Sequence, residues 1–376
     1  MREPETTVRG PGNSGDSGDA GAGKGPVQKP RFLEHSAEPL SKWTTFGVGG
    51  PAESFVEVPD TGLLVRLVEE ADQQGTPVLL LGEGSNMLIS DEGFPGVVLR
   101  VCTTGREASK DGEAVVISVA AGERWAPFVQ ECVAEGLSGI ECLAGIPGLV
   151  GATPVQNVGA YGEDVEQTVQ KVTIWDRAAK RLREMSAADC KFAYRTSVFK
   201  RNDRYVVTNV TFRLQRSRMS QPLRYSELCS KLGTELGDRA PLQDTASAVF
   251  ELRRSKGMVI DPTDPDTRSA GSFFTNPVLG PAAMDRLRRR APAVPSYPAG
   301  GGERVPAGWL VEQAGFSRGY TRGGSAISTK HALALVCRGG GNARDVIALA
   351  REVRDRVQAR FGVLLEPEPV LIGLHL

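Results

Sequence analysis

Histidine is nearly absent from this chain of 376 residues: His35, His331 and His375 are the three it has. So few, set so far apart, do not make a metal centre, and no metal ligands are assigned. The six cysteines, Cys102, Cys132, Cys142, Cys190, Cys229 and Cys337, form no C-x-x-C pair and lie mostly in apolar stretches such as Ala332-Leu-Ala-Leu-Val-Cys337. They read as reduced core thiols of a reducing, cytoplasmic compartment, not as disulfides or metal ligands. Net charge is also missing, because Lys plus Arg and Asp plus Glu balance at 45 each. Nothing therefore argues for a nucleic-acid partner or an anionic membrane surface. No apolar run approaches the roughly 20 residues that a membrane helix needs. The N-terminal stretch has no apolar signal segment; it runs through Gly, Ser, Asp and Pro, and residues 1–32 are expected to form a disordered tail.

What remains is the composition of a soluble globular enzyme or binding protein, long enough for two or three domains. Strands and helices are mixed, and no internal repeat is visible. Glu53 to Val58 is strand-like, Asp60 is placed to cap a helix running to about Gln74, and Pro77 to Leu81 is a short buried strand, which together make one βαβ unit. Strand-like runs follow at 97–101 and 115–120, then a helix from about Arg124 to Glu135, then strands at Val169–Trp175 and Tyr205–Leu214. Beyond residue 214 the texture changes. A helix is expected from about Gln243 to Lys256, and a basic helix at 281–290 that reads as a solvated face. A Pro/Gly-rich loop spans 291–308, with a helix at 308–314, a strand at 332–337 and a long helix at 342–361 after it. The expected units are 33–100, 101–215, 216–362 and a C-terminal segment at 363–376.

Three glycine-rich segments invite a nucleotide reading. Gly47-Val-Gly-Gly-Pro-Ala52 fits G-x-G-x-x-A, but a dinucleotide fingerprint needs a strand before it and a helix after it; here a strand follows, so a turn is expected. Gly82-Glu83-Gly84-Ser85-Asn86 is better placed, because it follows a buried strand where successive N–H groups can form an anion nest. On its own it reads equally well as a simple turn. Residues 145–162 add five glycines and two prolines among Ile, Leu, Val and Tyr, a density unlike that of a linker. Two such loops in one α+β region point to a dinucleotide held without a Rossmann fingerprint.

Three separated segments carry the reactive side chains of an assembled pocket. Ser269-Ala-Gly-Ser272-Phe-Phe-Thr-Asn276 sets a hydroxyl on a glycine-hinged turn, Tyr194-Arg195 offers a guanidinium, and Glu366-Pro-Glu368 offers a carboxyl. Taken singly, Ser272 also reads as a backbone-bonding hydroxyl and Tyr194-Arg195 as a structural pair on a sheet edge.

Together these residues resemble one family, the flavin-dependent UDP-N-acetylenolpyruvoylglucosamine reductases of bacterial cell-wall synthesis. The matching segments include Thr44-Thr-Phe-Gly47, Leu81-Gly-Glu-Gly-Ser-Asn86, Gly145-Ile-Pro-Gly148, Gln156-Asn-Val-Gly-Ala-Tyr-Gly162, Phe192-Ala-Tyr-Arg195, Arg253-Arg-Ser-Lys256, Ala270-Gly-Ser-Phe-Phe274 and Leu365-Glu-Pro-Glu368. They occur in family order from about residue 40 to 373. The resemblance implies an α+β chain: a vanillyl-alcohol-oxidase-type (PCMH-like) FAD-binding fold of two α/β subdomains plus a C-terminal α+β substrate domain. It implies non-covalent FAD, NADPH as reductant, a UDP-sugar substrate, and a monomer in the cytoplasm that serves cell shape and division. Hydride would pass from flavin N5 to the enolpyruvyl carbon, Arg195 and Glu368 would stabilise the enolate, and Ser272 would supply the proton. Cofactor contacts fall on Gly82, Glu83, Gly84, Ser85, Asn86, Gly145, Ile146, Pro147, Gly148, Asn157, Gly159, Ala160 and Tyr161. Substrate contacts fall on Tyr225, in the loop of the tyrosine-bearing subtype, and on Lys256, Asn276, Arg253 and His331. One departure is visible: the stretch from Lys256 to Ser272 looks longer than usual, through Asp261-Pro-Thr-Asp-Pro-Asp266.

Two other readings compete. An oxidase of the same fold would in many cases tether its flavin through His or Cys, and no histidine lies between His35 and His331. A non-catalytic flavin or nucleotide-sugar module would be expected to have lost Arg195, Ser272 or Glu368.

Overall fold

A computed structural model of the chain describes Thr6–Thr7 and residues 33–376. The tail expected over 1–32 lies outside the described residues, apart from Thr6 and Thr7, which pair with His35 and Glu34.

The N-terminal sheet explains the expected βαβ unit and corrects one detail of it. Asp60 accepts from the Leu63 N–H at 2.8 Å and starts the helix Thr61–Gln74, which ends at Gly75 in the left-handed region. Its Leu63, Leu64, Val68 and Ala71 face the sheet. The strands it joins, Ala52–Val58 and Val78–Leu81, are not neighbours: Phe94–Val101 lies between them, parallel to both. Pro95, which cannot donate to a ladder, falls where the register breaks between Ala52↔Phe94 and Ser54↔Val97. The Gly47–Ala52 segment leads into a strand and not a helix, as expected of a turn; a Cβ on Gly50 would meet the Asp91 carbonyl oxygen at 2.1 Å.

The second sheet is antiparallel, in the order Arg181–Ser186, Val169–Asp176, Tyr205–Arg216, Ala114–Ala120, Arg106–Asp111. Its outer strands have no counterpart in the sequence reading. Arg106–Asp111 is exposed at every residue and Arg181–Ser186 at most, so neither offers the apolar alternation by which a half-buried strand is recognised. The helix Trp125–Ala134 covers the inner face, where Trp125 and Phe128 pack on Phe212 with ring centroids 5.7 and 5.5 Å away.

Beyond residue 216 a short helix, Ser226–Leu232, follows Tyr225, and the helix Leu242–Ser255 packs through Ala248 and Val249 in a cluster with Cys142. The largest C-terminal core gathers Phe273, Phe274, Met284, Leu310, Leu335 and the inner face of the helix Ala343–Phe361. That helix opens on a reciprocal capping box, Asn342 with Asp345, and closes at Gly362. The basic helix forms at Pro281–Arg290 with Met284 and Leu287 buried. The loop expected over 291–308 is instead partly a hairpin, Tyr297–Ala299 with Gly302–Arg304, turned by Gly300 and Gly301. Five of the six cysteines are buried and all are free thiols.

The C-terminus knits the molecule together. Val370–Ile372 adds in parallel to Met87–Ile89 of the N-terminal part, so the residues just before it pass beside both the Gly82–Asn86 loop and the Ser272 turn.

Candidate active site

Backbone pairing brings the serine and the glutamate together. Phe274 bridges Pro367, the Glu368 N–H donates to the Phe273 carbonyl at 2.8 Å, and Thr275 donates to Glu366 at 3.0 Å. On its other side the turn bridges Ala334, with Phe273 N–H on the Leu333 carbonyl at 2.8 Å. Ser272 thus sits on a strand-like segment held at both edges. Gly271, at φ 70°, supplies the backbone bend before it. Phe273 and Phe274 are fully buried, packed edge to face at 5.1 Å, and anchor the turn in the C-terminal core.

Arg195 meets Glu368. Its Nε lies 3.2 Å from Glu368 Oε1, an ion-pair distance without hydrogen-bond alignment, and Nη1 lies 3.5 Å from Asp164 Oδ1. Nη2 also donates to the Gly159 carbonyl. Arg195 adopts φ 53°, a strained region for a residue with a Cβ, inside a tight Ala193–Thr196 turn. Lys200 Nζ holds the Arg195 carbonyl at 2.8 Å. Burial pushes the Glu368 carboxyl above its ordinary range, and Arg195 and then Lys200 pull it back in part. Burial likewise lowers Lys200 and raises Asp164.

The two glycine loops lie side by side. Ser85 Oγ donates to the Pro147 carbonyl at 3.2 Å, and Glu83 accepts from Gly148 N–H and Arg124 Nε, both at 2.7 Å. Asn86 Nδ2 donates to Gln156 at 2.6 Å and approaches the Glu368 carbonyl at 3.5 Å. Gly145 and Gly148 hold positive φ, with Ile146 and Pro147 between them, and Gly84 at φ 58° is so close to Trp43 that a Cβ would meet its carbonyl oxygen at 2.1 Å. Asn157, at φ 50°, is clamped by Glu166 and donates to the Ala193 carbonyl at 3.1 Å, which joins the loop to the Tyr194-Arg195 turn. Gly159 and Ala160 pair with Glu163–Asp164. A Cβ on Gly159 would fall 1.6 Å from Asp164 Oδ1, so a side chain there would displace the carboxylate that pairs with Arg195.

The expected substrate residues divide into groups. Tyr225 packs its ring edge to face on Tyr161 at 5.2 Å, and Lys256 sits 5.7 Å over Tyr161 while it pairs with Glu227. Arg253 is 9% exposed, donates to the Met258 carbonyl at 3.0 Å, and has no carboxylate within ion-pair distance among the described residues. Its burial pushes the guanidinium down to about 10. Asn276 Oδ1 accepts from Ala307 N–H at 2.8 Å and so ties the turn to the helix Ala307–Gln313. His331 faces Ser272, with Nε2 3.3 Å from Oγ.

Known proteins give this arrangement its family. A family model described as UDP-N-acetylenolpyruvoylglucosamine reductase, C-terminal domain, matches residues 261–372, and one described as FAD binding domain matches 52–184. A UDP-N-acetylenolpyruvoylglucosamine reductase of Thermobifida fusca is 53% identical over 347 residues, 90% of this chain and 98% of that one. The chain belongs to the UDP-N-acetylenolpyruvoylglucosamine reductase family. The Salinispora arenicola reductase is 49% identical over 345 residues, 90% of this chain and 95% of its own length. The solved reductase of Thermus caldophilus superposes with a TM-score of 0.61 at 26% identity, covering 90% of this chain and 98% of that chain. The reductase is therefore an FAD-dependent oxidoreductase with the fold class expected from the resemblance.

Its glycine loops suit FAD on structural grounds: two backbone-rich segments held in contact by Ser85 and Glu83, with no room for a side chain at Gly84. Three residues of the site had been given no role in the sequence reading. Arg304 stacks 3.9 Å over the Tyr194 ring from the unforeseen hairpin, Lys200 holds the Arg195 turn, and Asp164 pairs with Arg195. Lys200 ends Ser197-Val-Phe-Lys200, a further segment that matches the family, and was recoverable; Arg304 carried no local signal. The stretch Asp261–Asp266 before Ser272 folds onto the segment carrying His331: Asp266 accepts from Ser328 and Thr329, and Lys330 pairs with Asp264.

Proposed function

We propose that the chain reduces UDP-N-acetylglucosamine enolpyruvate to UDP-N-acetylmuramate, with NADPH as reductant, in peptidoglycan precursor synthesis. Bound FAD, once reduced by NADPH, supplies the hydride for the terminal enolpyruvyl carbon. The residues that would hold it are Gly82–Asn86, Gly145–Gly148, Asn157 and Gly159–Tyr161. Hydride addition leaves negative charge on the substrate carboxylate. Arg195, permanently charged and half sequestered with Glu368, is the group that stabilises it, because a fixed guanidinium in a water-poor site needs little reorganisation as charge develops. Glu368, its proton affinity raised by burial, orients that guanidinium and shares the enolate's hydrogen bonding. Ser272 delivers the proton to the carbon bearing the ether oxygen, with Phe273 and Phe274 anchoring its turn in the core. Tyr225, Lys256 and Arg253 meet the anionic nucleotide-sugar; the unpaired charge of Arg253 suits an anion arriving from outside. Asn276 holds the turn and offers its amide nitrogen.

The division that goes with this reading has FAD subdomains at 33–100 and 101–215, a substrate domain at 216–362, and a returning segment at 363–376. The enzyme works as a monomer in the cytoplasm and, through its product, supports cell shape and division.

The observation that carries the reading is the pairing of the Ser272 turn with the Glu368 segment, with Arg195 set on Glu368. The purified protein is expected to show a flavin spectrum and to oxidise NADPH in proportion to added UDP-N-acetylglucosamine enolpyruvate. Flavin reduction with no dependence on the enolpyruvate would overturn the assignment.

A further inference from the structure

We infer that His331 is a positioning residue for the proton donor: its neutral ring accepts from the Leu333 N–H at Nδ1 and donates from Nε2 to the Ser272 oxygen, leaving the serine proton free to go to substrate. The inference rests on the reading of Ser272 given above and goes beyond a substrate contact for His331.

The tautomer follows from the partners. Leu333 N lies 3.5 Å from His331 Nδ1 and has only a hydrogen to offer, so Nδ1 presents its lone pair and the ring proton resides on Nε2. Nε2 then donates to Ser272 Oγ at 3.3 Å. A hydroxyl that accepts this bond does not spend its own hydrogen on the protein. As the Ser272 O–H breaks and the C–H bond forms, the electron pair of the enolate carbon takes the proton and negative charge is left on Oγ. The Nε2–H bond strengthens toward that charge, since hydrogen bonds to an ionised acceptor are shorter and stronger. Water returns the proton to Oγ between turnovers.

The surroundings keep the ring in this state. Burial, together with the facing cations Lys256, Arg318 and Arg253, pushes His331 down to about 4, against one opposing anion, Glu227. A protonated ring would set a second N–H against that of Leu333. The two partners are also held in register. Ser272 bridges Ala334, Phe273 donates to Leu333, and Ala334 N–H closes a turn on the His331 carbonyl at 3.1 Å. Asp266 fixes the other side of that turn by accepting from Ser328 Oγ at 3.1 Å and Thr329 N–H at 2.9 Å. The stretch between Lys256 and Ser272 thus has a definite task, to brace the segment that aims His331.

The test uses the holoenzyme and separates its two half-reactions by anaerobic stopped flow. In His331→Ala, flavin reduction by NADPH is expected to proceed at the wild-type rate. Reoxidation by the enolpyruvate is expected to slow about 10- to 100-fold, as for a misplaced reacting group, with KM for the enolpyruvate within about threefold of wild type. Its solvent deuterium isotope effect should exceed that of wild type, because proton delivery becomes limiting. His331→Gln, whose amide nitrogen restores a donor near Nε2, should recover at least half of the lost rate on a logarithmic scale. A raised KM with unchanged kcat in His331→Ala would reduce His331 to a substrate contact and overturn the inference, as would equal losses in the Ala and Gln variants. Failure of the functional reading is distinct: the wild-type flavin would then not be reoxidised by the enolpyruvate at all.

Discussion

Removing Arg195 while leaving Glu368 in place should unbalance the site in a pH-dependent way that can be worked out beforehand. The Arg195→Met side chain keeps much of the bulk but takes the cation from a carboxylate 3.2 Å away, with Arg195 19% and Glu368 16% exposed. At that separation a pair in an effective dielectric of about 20 interacts by about 5 kcal/mol. The full loss is not paid at every pH, because Glu368 escapes by taking up a proton. Its folded-state value is already raised above 4.5, and losing Arg195 raises it further. Between 4.5 and the folded-state value the folded chain holds a proton that the unfolded chain has released, so stability falls as pH rises through this window. Protonation caps the penalty, more tightly the more acid the solution, and Lys200, still present, reduces it further. Urea unfolding at fixed excess FAD should therefore show Arg195→Met destabilised at pH 7 by some part of that roughly 5 kcal/mol, the deficit shrinking toward acid. Adding Glu368→Gln should restore at least half of it. Effects of the two substitutions that add within about 0.5 kcal/mol, or a deficit independent of pH, would refute the reasoning.

Three further perturbations test other parts of the structure. Gly84→Ala forces a Cβ onto the Trp43 carbonyl at 2.1 Å in a left-handed backbone, so FAD affinity measured by flavin fluorescence should fall at least about tenfold with the C-terminal core intact; unchanged affinity would remove that loop from the cofactor site. Glu163, buried against Glu141 and bonded by Cys142 N–H at 2.8 Å, is pushed up to about 8. Because that lies above its unfolded value, stability falls as pH rises from 4.5 to about 8, and Glu163→Gln should flatten the slope in urea melts over this range. His331 works in the opposite sense: with a folded value of about 4 below the ordinary 6.5, stability is lost as pH falls between the two, by up to about 3 kcal/mol, and His331→Gln should remove that acid slope.

The parts of the molecule legible in sequence were those whose cause is local. Asp60 announces a helix because a side-chain oxygen caps the N–H three residues on. The Gly47–Ala52 fingerprint fails by its neighbours alone, since the residues after it have the alternation of a strand. The serine, arginine and glutamate segments were recognisable because each carries its reactive group among small or rigid neighbours. What was hidden depends on distant partners. Arg181–Ser186 and Arg106–Asp111 become strands only because Val169–Asp176 and Ala114–Ala120 present free edges. Phe94–Val101 enters the middle of the βαβ unit from outside it. Arg304 reaches Tyr194 from more than a hundred residues away in sequence, on a hairpin whose prolines and glycines suggested a loop. The acidic stretch Asp261–Asp266 looked like a mere extension until its carboxylates met Ser328, Thr329 and Lys330.

The central claim is that Ser272 delivers the proton into a site built by Arg195 and Glu368, and single-turnover reoxidation of the reduced enzyme by the enolpyruvate in deuterated water tests it most directly. Wild type should reoxidise its flavin and place one solvent deuteron on the carbon bearing the ether oxygen. Ser272→Ala should still accept hydride from NADPH yet form product at least about a hundredfold more slowly. Product formation by Ser272→Ala within threefold of wild type, with deuterium at the same carbon, would contradict the account.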